Sequence, residues 1–427
     1  MTAQNQSNHS FRLLLSNTSW VLVAEGMARA SRILTLIALS FFLDTSDYGT
    51  VMLALACHEL LRVFTRLGCG AKVIQCKQES LNAYASNAIT LQWAICICLC
   101  ICQILLAEII AQFYDNGDLT ELIKIMAIAH LYYPIVSIKV FLLQRENRMR
   151  YFGIASGACM VAENLSTALL AVLGMGIFSV AIAKVIAAII WVVLFSLPKV
   201  SAIRAGFDRA VMGSLLSYSG KILLTEMTRS LRQNVDMLLA GRFLDSQLFG
   251  LYSFARSTGL GLSQSLSGAF TGALYPYLCL QERENHREPA TRYTLIACGA
   301  ISTLFILQAL FAPLYINLLF SERWADATTL VSILCLGAIP LLCLDSLCVS
   351  LRARNYPYAE FTLVLASCLL IFSSMYFFSP SSPLEFAKTF TTLSYSYFLL
   401  IAIFLLARSF TTSSNHTLPP TIWRIKT

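Results

Sequence analysis

Apolar residues run through this chain in long blocks, and polar residues gather in short clusters between them. About twelve blocks approach the ~20 residues that a helix needs to cross a hydrocarbon core. The first six cover residues 19–42, 48–65, 83–113, 122–143, 152–173 and 177–197. The second six cover 211–240, 248–278, 293–320, 328–351, 361–378 and 386–407. The pattern predicts a helix over each, and the third and seventh are long enough to tilt or to run past the hydrocarbon. Connections between blocks are short, which leaves no room for a sizeable soluble domain.

Composition narrows the class further. The hydrophobic set makes up 57% of the residues and charged residues 13%. Soluble domains average about 45–50% apolar and about 25% charged, so this is read as an integral membrane protein without a large extramembrane catalytic module. The net charge of +8 is scattered between apolar runs, which argues against a nucleic-acid partner. The 14 cysteines lie nearly all inside apolar runs. Cys96, Cys98, Cys100 and Cys102 alternate, so a helix splits them between two faces and no metal or cofactor is expected. The N-terminus is polar through Ser10 and lacks the charged, short apolar and small-residue order of a cleavable signal, so the first block is expected to remain a span.

Basic residues in the connections set the orientation, because translocating them is disfavoured. One side collects Arg12, Arg66, Lys72, Lys77, Arg145, Arg148, Arg150, Lys199, Arg204, Arg209, Arg283, Arg287, Arg292, Arg352, Arg354, Arg408, Arg424 and Lys426. The other holds Arg242, Arg323 and Lys388. Both termini are therefore expected in the cytoplasm.

The chain also matches itself. Met27-Ala28-Arg29-Ala30-Ser31-Arg32 aligns with Met227-Thr228-Arg229-Ser230-Leu231-Arg232. Phe42-Leu43-Asp44 with Gly49 aligns with Phe243-Leu244-Asp245 with Gly250, the offset growing by one residue. A duplicated unit of six crossings returns to its starting side, so both copies enter the membrane in the same direction. The expected fold class is thus all-α integral membrane, about 12 transmembrane helices in two parallel-repeat six-helix bundles around a central cavity. The expected domains are 1–204 and 205–427.

Ionisable residues at membrane depth cost at least about 2.5–3.5 kcal/mol, so they should face water or a partner. Glu25, Arg29 and Arg32 form one stripe on the first helix, and Arg229, Arg232 and Asp236 form another on the seventh, with Glu226 one turn below Arg229. Arg256 on the eighth is flanked by serines, threonine and glutamine. Two readings stand at this point: Glu25 and Glu226 neutralise the arginines, or the guanidinium groups line a wet vestibule for an anionic substrate, phosphate or carboxylate. Glu163 and Asp345 have no cation one turn away on their own helices, and each either couples transport to a proton or sodium ion or pairs with a base on another helix. Glu59 and Arg62 read as a local pair, Glu108, Lys124 and Lys221 as interfacial, and His130 as a packing residue. No phosphate loop, dinucleotide fingerprint, metal-spaced histidine pair or nucleophile elbow is present, so no enzyme activity is expected. The sequons at Asn17, Asn164 and Asn415 read as accidents.

Leu43-Asp44-Thr45-Ser46-Asp47-Tyr48-Gly49, then Arg66-Leu67-Gly68 and Ala71-Lys72-Val73-Ile74-Gln75, resembles the start of bacterial polysaccharide-export proteins. Ala273-Leu274-Tyr275-Pro276 is similar to the same family. The resemblance implies an O-antigen or other repeat-unit flippase of the multidrug/oligosaccharidyl-lipid/polysaccharide exporter superfamily, in the bacterial inner membrane. It further implies an undecaprenyl-diphosphate-linked oligosaccharide as substrate, moved from the cytoplasmic to the periplasmic leaflet by alternating access. By helix and depth, Arg29, Arg32, Arg229, Arg232 and Arg256 are matched to substrate binding, and Glu25, Glu163, Asp236 and Asp345 to ion coupling. Membrane lipids, and the polymerase and chain-length proteins of the pathway, are the implied partners.

Two rivals remain. A cation-coupled multidrug antiporter of the same superfamily would want a site rich in carboxylates and aromatics. A membrane polysaccharide polymerase or ligase would want a long periplasmic loop, and the outer connections here are short.

Overall fold

A computed structural model describes residues 26–66, 69–146, 148–199, 203–283, 287–354, 356–378 and 380–413 of the 427. No strand occurs among the described residues. The helices are α1 (26–42), α2 (Thr45–Arg62), α3 (Cys69–Gln75), α4 (Leu81–Phe113), α5 (Asp118–Ala127), α6 (Ala129–Arg145), α7 (Met149–Val172) and α8 (Phe178–Ser196). They continue as α9 (Arg209–Phe243), α10 (Ser246–Thr258), α11 (Leu260–Arg283), α12 (Arg287–Leu319), α13 (Thr328–Ala353), α14 (Pro357–Phe378) and α15 (Pro383–Ser413). Eight membrane-spanning candidates among the described residues are long and apolar enough to cross a bilayer. The all-helical, multi-pass character follows from the requirement that backbone groups in lipid be satisfied within the segment.

Within the described residues, each predicted block falls on a helix or on two consecutive ones, and residues 19–25 of the first block lie outside them. The block 122–143 is broken at Ile128, where Ile128 N–H bonds to Ile125 O and Leu131 N–H to Ile128 O in tightened three-residue steps. Pro134, inside α6, lacks the donor that would bond His130 O and crowds that carbonyl, so the ladder cannot run straight through. The block 248–278 is broken at Gly259, between α10 and α11. A Cβ there would lie 2.9 Å from the carbonyl oxygen of Val331 on α13, so a residue with a side chain would push the two backbones apart.

The helices are inside-out relative to a soluble protein. On α4, Ile97, Ile101, Leu105 and Ile109 are exposed, whereas Ala85, Ala88, Gln92, Cys96, Gln103, Ala107 and Ala111 are buried. Large apolar side chains face lipid, and small or polar ones pack on neighbouring helices, as expected where lipid removes the hydrophobic drive for inward burial. Cys96 and Cys100 accordingly face inward, while Cys98 faces out.

The chain divides into two compact units, 1–230 and 231–427, the division falling within α9. In the first unit, Met212 and Leu215 of α9 join Cys69, Val73, Ala85, Ala88, Leu91, Ile138 and Leu142 in one core. The preceding linker is fastened to α4: Asp208 N–H donates to Asn87 Oδ1 (2.7 Å), and Thr90 Oγ1 donates to Gly206 O (2.8 Å). These bonds place the start of α9 with the first unit. In the second unit, Phe254 stacks on Trp324 at 4.2 Å, and Leu344, Cys348, Val364 and Ile401 form a second apolar cluster.

At the Asp44 and Asp245 turns the sequence repeat is matched by backbone geometry. Asp44 (φ −74°, ψ 167°) ends the turn into α2, and Asp245 (φ −66°, ψ 165°) ends the turn into α10. Tyr48 N–H bonds to Asp44 O at 2.9 Å, and Phe249 N–H bonds to Asp245 O at 2.8 Å. Asp245 also accepts from Leu248 N–H through its side chain, a helix N-cap.

Candidate functional site

On α1, one face is sealed against α7. Asn164 Nδ2 donates to Ala28 O (3.1 Å) and Ser31 Oγ (2.8 Å), and Thr35 Oγ1 donates to Asn164 O (2.8 Å). A polar clasp of this kind substitutes for the missing hydrophobic drive between helices in lipid. Ala28, Ser31, Thr35 and Leu39 are buried, while Arg29 is half-buried and Arg32 exposed on the adjoining face. Asn164 therefore fixes the face that α1 turns toward α7, and with it the side on which the arginines lie. Glu25 lies outside the described residues.

On α9, each cation of the stripe stands beside an acid. Arg229 Nη1 lies 2.7 Å from Glu226 Oε1, both partly accessible. Arg232 Nη2 is bonded to Asp345 Oδ1 of α13, and its Nε has no acceptor. Arg256 of α10 donates from Nε (2.5 Å) and Nη2 (3.0 Å) to Asp236, and from Nη2 also to Gln233 O. Tyr252 Oη adds a third donor to Asp236 at 3.0 Å. With an Asp236 side chain only 1% exposed, the α9–α10 contact holds a closed charge cluster. Arg232 is thus paired with Asp345 and Arg256 with Asp236, as a guanidinium buried between helices needs a counter-charge.

The first unit holds a second network. Lys184 Nζ on α8 lies 2.6 Å from Glu163 on α7 and 3.4 Å from Glu59 on α2, and Arg62 clasps Glu59 through Nε (2.9 Å) and Nη2 (2.6 Å). Two acids and two bases thus balance across three helices. Glu163 is the cross-helix partner of Lys184, and Asp345 that of Arg232, so neither carboxylate is isolated. Lys124 and Glu108 pair at 3.2 Å on the exposed side.

Next in the chain to Glu59, His58 is fully enclosed with Gln103 and His130. His130 Nε2 and Gln103 Oε1 are 2.8 Å apart, Gln103 Oε1 and His58 Nδ1 3.2 Å, and Gln103 Nε2 donates to Ile123 O at 2.9 Å. The imidazoles stack at 4.9 Å. Gln103 was not singled out from the sequence, although a glutamine in the middle of the apolar stretch 94–107 is the available signal. Among the described residues, no group of three or more histidine, cysteine or acidic side chains could hold a metal ion.

Taken together, the described side chains offer charge pairs that brace helices and, on α1 and at Glu226–Arg229, cations reachable from outside. Reachable guanidinium groups can bind an oxyanion through paired donors.

Comparison with known proteins places the chain among relatives. A family described as "Polysaccharide biosynthesis protein" matches residues 38–329. The chain is 20% identical over 330 residues to the lipopolysaccharide biosynthesis protein WzxC of Escherichia coli (strain K12), covering 75% of this chain and 66% of that protein. It is 23% identical over 286 residues to the teichuronic acid biosynthesis protein TuaB of Bacillus subtilis (strain 168), covering 64% of this chain and 57% of that protein. The chain thus spans 57–66% of the length of these curated relatives. Among solved structures, lipid II flippase MurJ in an inward closed conformation is similar in fold, with a TM-score of 0.70, 13% identity and 94% of each chain covered.

Proposed function

The chain belongs to the polysaccharide biosynthesis protein family, and from that membership we propose that it is a flippase. Its substrate is an oligosaccharide repeat unit of a surface polysaccharide, O-antigen or another, carried on undecaprenyl diphosphate. It moves this unit from the cytoplasmic to the periplasmic leaflet of the bacterial inner membrane by alternating access, with both termini in the cytoplasm. No bond is made or broken, and no cofactor is needed. The polymerase and chain-length proteins of the pathway then consume the product.

The observation that carries this reading is the arginine series on α1 and α9 in a chain of this family. A diphosphate crossing apolar depth must replace its hydration shell, and guanidinium forks do so with paired donors. Arg29 and Arg32 flank the face clasped by Asn164, and Glu226 beside Arg229 is a carboxylate that an incoming phosphate can displace. Arg232 and Arg256 serve as positioning residues, bracing α9 on α13 and α10. For the coupling ion, proton or sodium, the partly accessible carboxylates Glu163 and Asp345 are favoured over the enclosed Asp236.

The test is complementation of a strain lacking the gene. Arg29→Ala and Arg229→Ala should abolish surface polysaccharide while the protein still inserts, since the spans remain apolar. Arg242→Ala, at the far end of α9, should export normally. Wild-type export by both α1 and α9 variants would overturn the reading, and a loss of drug efflux in its place would favour a cation-coupled antiporter.

A further inference from the structure

The short helix α3 presents a lysine that no described carboxylate neutralises. Lys72 Nζ sits 5.5 Å from the ring centre of Tyr84 on α4 and 5.3 Å from that of Tyr218 on α9. Two ring faces hold the ammonium by cation–π attraction without cancelling its charge. Among the described residues no carboxylate pairs with it. A ring of polar groups closes around it: Tyr218 Oη donates to Gln75 Oε1 (3.2 Å), and Ser214 Oγ donates to Tyr84 Oη (3.4 Å). Gln75 and Ser214 are exposed.

The neighbouring cation has a different task. Arg145 Nη1 donates to the carbonyls of Val73 (3.0 Å), Ile74 (2.9 Å) and Cys76 (2.7 Å), and its Nη2 donates to Gln78 Oε1. These are the open carbonyls at the end of α3, so Arg145 is the helix's cap and is used up there. Gly70 presses α3 flat on α6, since a Cβ at that position would lie 2.3 Å from the Phe141 ring. Lys72 is thus mounted on a fixed platform, with Arg145 anchoring it and the tyrosines setting its direction. Tyrosines and a lysine together are the residues that settle at the headgroup level of a membrane. The charge bias of the connections assigns this side to the cytoplasm.

We propose that the Lys72, Tyr84, Tyr218, Gln75 and Ser214 cluster is a loading site that takes the phosphoryl group of a lipid-linked saccharide before it enters the translocation path. The ammonium takes a phosphate oxygen, while the free amide nitrogen of Gln75 and the Ser214 hydroxyl take sugar hydroxyls. The proposal rests on the flippase reading above but concerns residues distinct from the arginine series. An anionic phospholipid carries the same phosphate chemistry, and the test separates the two sources.

The experiment is acetylation of lysines in the full-length protein in phosphatidylcholine nanodiscs, read by peptide mass spectrometry with inorganic pyrophosphate as probe. At about ten times Kd, mass action leaves about a tenth of the sites open, so acetylation of Lys72 should slow about tenfold. The exposed Lys388 should be unaffected. Protection should persist in Arg29→Ala, which separates this site from the arginine series. Nanodiscs containing phosphatidylglycerol should protect Lys72 far less than pyrophosphate does. In cells, Lys72→Ala should lower polysaccharide export about tenfold, and Lys72→Arg, which keeps the charge, should restore most of it. Equal labelling of Lys72 with and without pyrophosphate overturns the proposal, as does equal protection by phosphatidylglycerol. Loss of export in Arg29→Ala with normal export in Lys72→Ala removes the loading site and leaves the flippase reading standing.

Discussion

Arg232 on α9 is bonded to Asp345 on α13, and the two ends are unequally covered: the arginine side chain is 5% exposed and the aspartate 33%. The covered end dictates the energetics. Asp345→Ala leaves a buried guanidinium without a counter-charge, which costs about 3–5 kcal/mol. Replacing both ends, as Arg232→Met with Asp345→Leu, removes charge and desolvation together and should cost far less. Thermal unfolding in one detergent should therefore rank wild type and the double variant well above Asp345→Ala. Equal losses in the single and double variants would show that the helices do not depend on the ion pair.

Asp236 receives Tyr252 Oη and two nitrogens of Arg256, leaving little room for a travelling ion. Asp236→Asn keeps the shape but removes the charge that Arg256 faces. The folded fraction should fall, by about 3 kcal/mol of stability, while transport per folded molecule keeps its dependence on the ion gradient. Measuring export against protein level at several external pH values and sodium concentrations decides the matter. A variant that folds normally and loses gradient dependence would make Asp236 the coupling residue.

Much of the architecture was legible because lipid imposes a plain length rule on apolar runs. The breaks at Ile128 and Gly259 were not, since they depend on Pro134 meeting a carbonyl and on α13 passing within reach of α10. The Asp44 and Asp245 turns were legible as a repeat, and their backbone angles agree closely. Cross-helix partners were not assignable from spacing. A stripe at i, i+3 and i+4 tells which face of α9 carries Arg232, but nothing local names Asp345, which lies on α13. Likewise Glu163 had no cation on its own helix, and only packing of α7 on α8 supplies Lys184. The sequon at Asn164 read as an accident, and the residue is the clasp of α1.

Lys184 serves two carboxylates at once, 2.6 Å from Glu163 and 3.4 Å from Glu59, with its side chain only 10% exposed. Lys184→Met should be strongly destabilising, by about 3 kcal/mol or more, because Glu163 then stands at membrane depth without a cation. Glu59 keeps Arg62 and should not contribute much to that loss. Adding Glu163→Gln to Lys184→Met should recover most of the stability, as judged by detergent melting and the monodisperse fraction on size exclusion. If the second substitution makes matters worse, the four charges do not act as the balanced set that their distances describe.

The enclosed amide of Gln103 ties α4 to both stacked imidazoles and, through its nitrogen, to the carbonyl of Ile123 on α5. That carbonyl lies just before the break at Ile128. Gln103→Leu leaves buried polar groups without partners, at about 1–3 kcal/mol for each group left unsatisfied. Replacing His130 by Phe in the same chain removes one orphan and preserves ring packing against His58. The double variant should therefore melt above Gln103→Leu alone, since deleting both partners of a buried bond costs less than deleting one. Hydrogen exchange around Ile123–Leu131 supplies the local readout: it should quicken in Gln103→Leu if the amide holds the α5–α6 break in place. Unchanged exchange there, with a full loss of melting temperature, would place the destabilisation at the histidines and free the break of any dependence on Gln103.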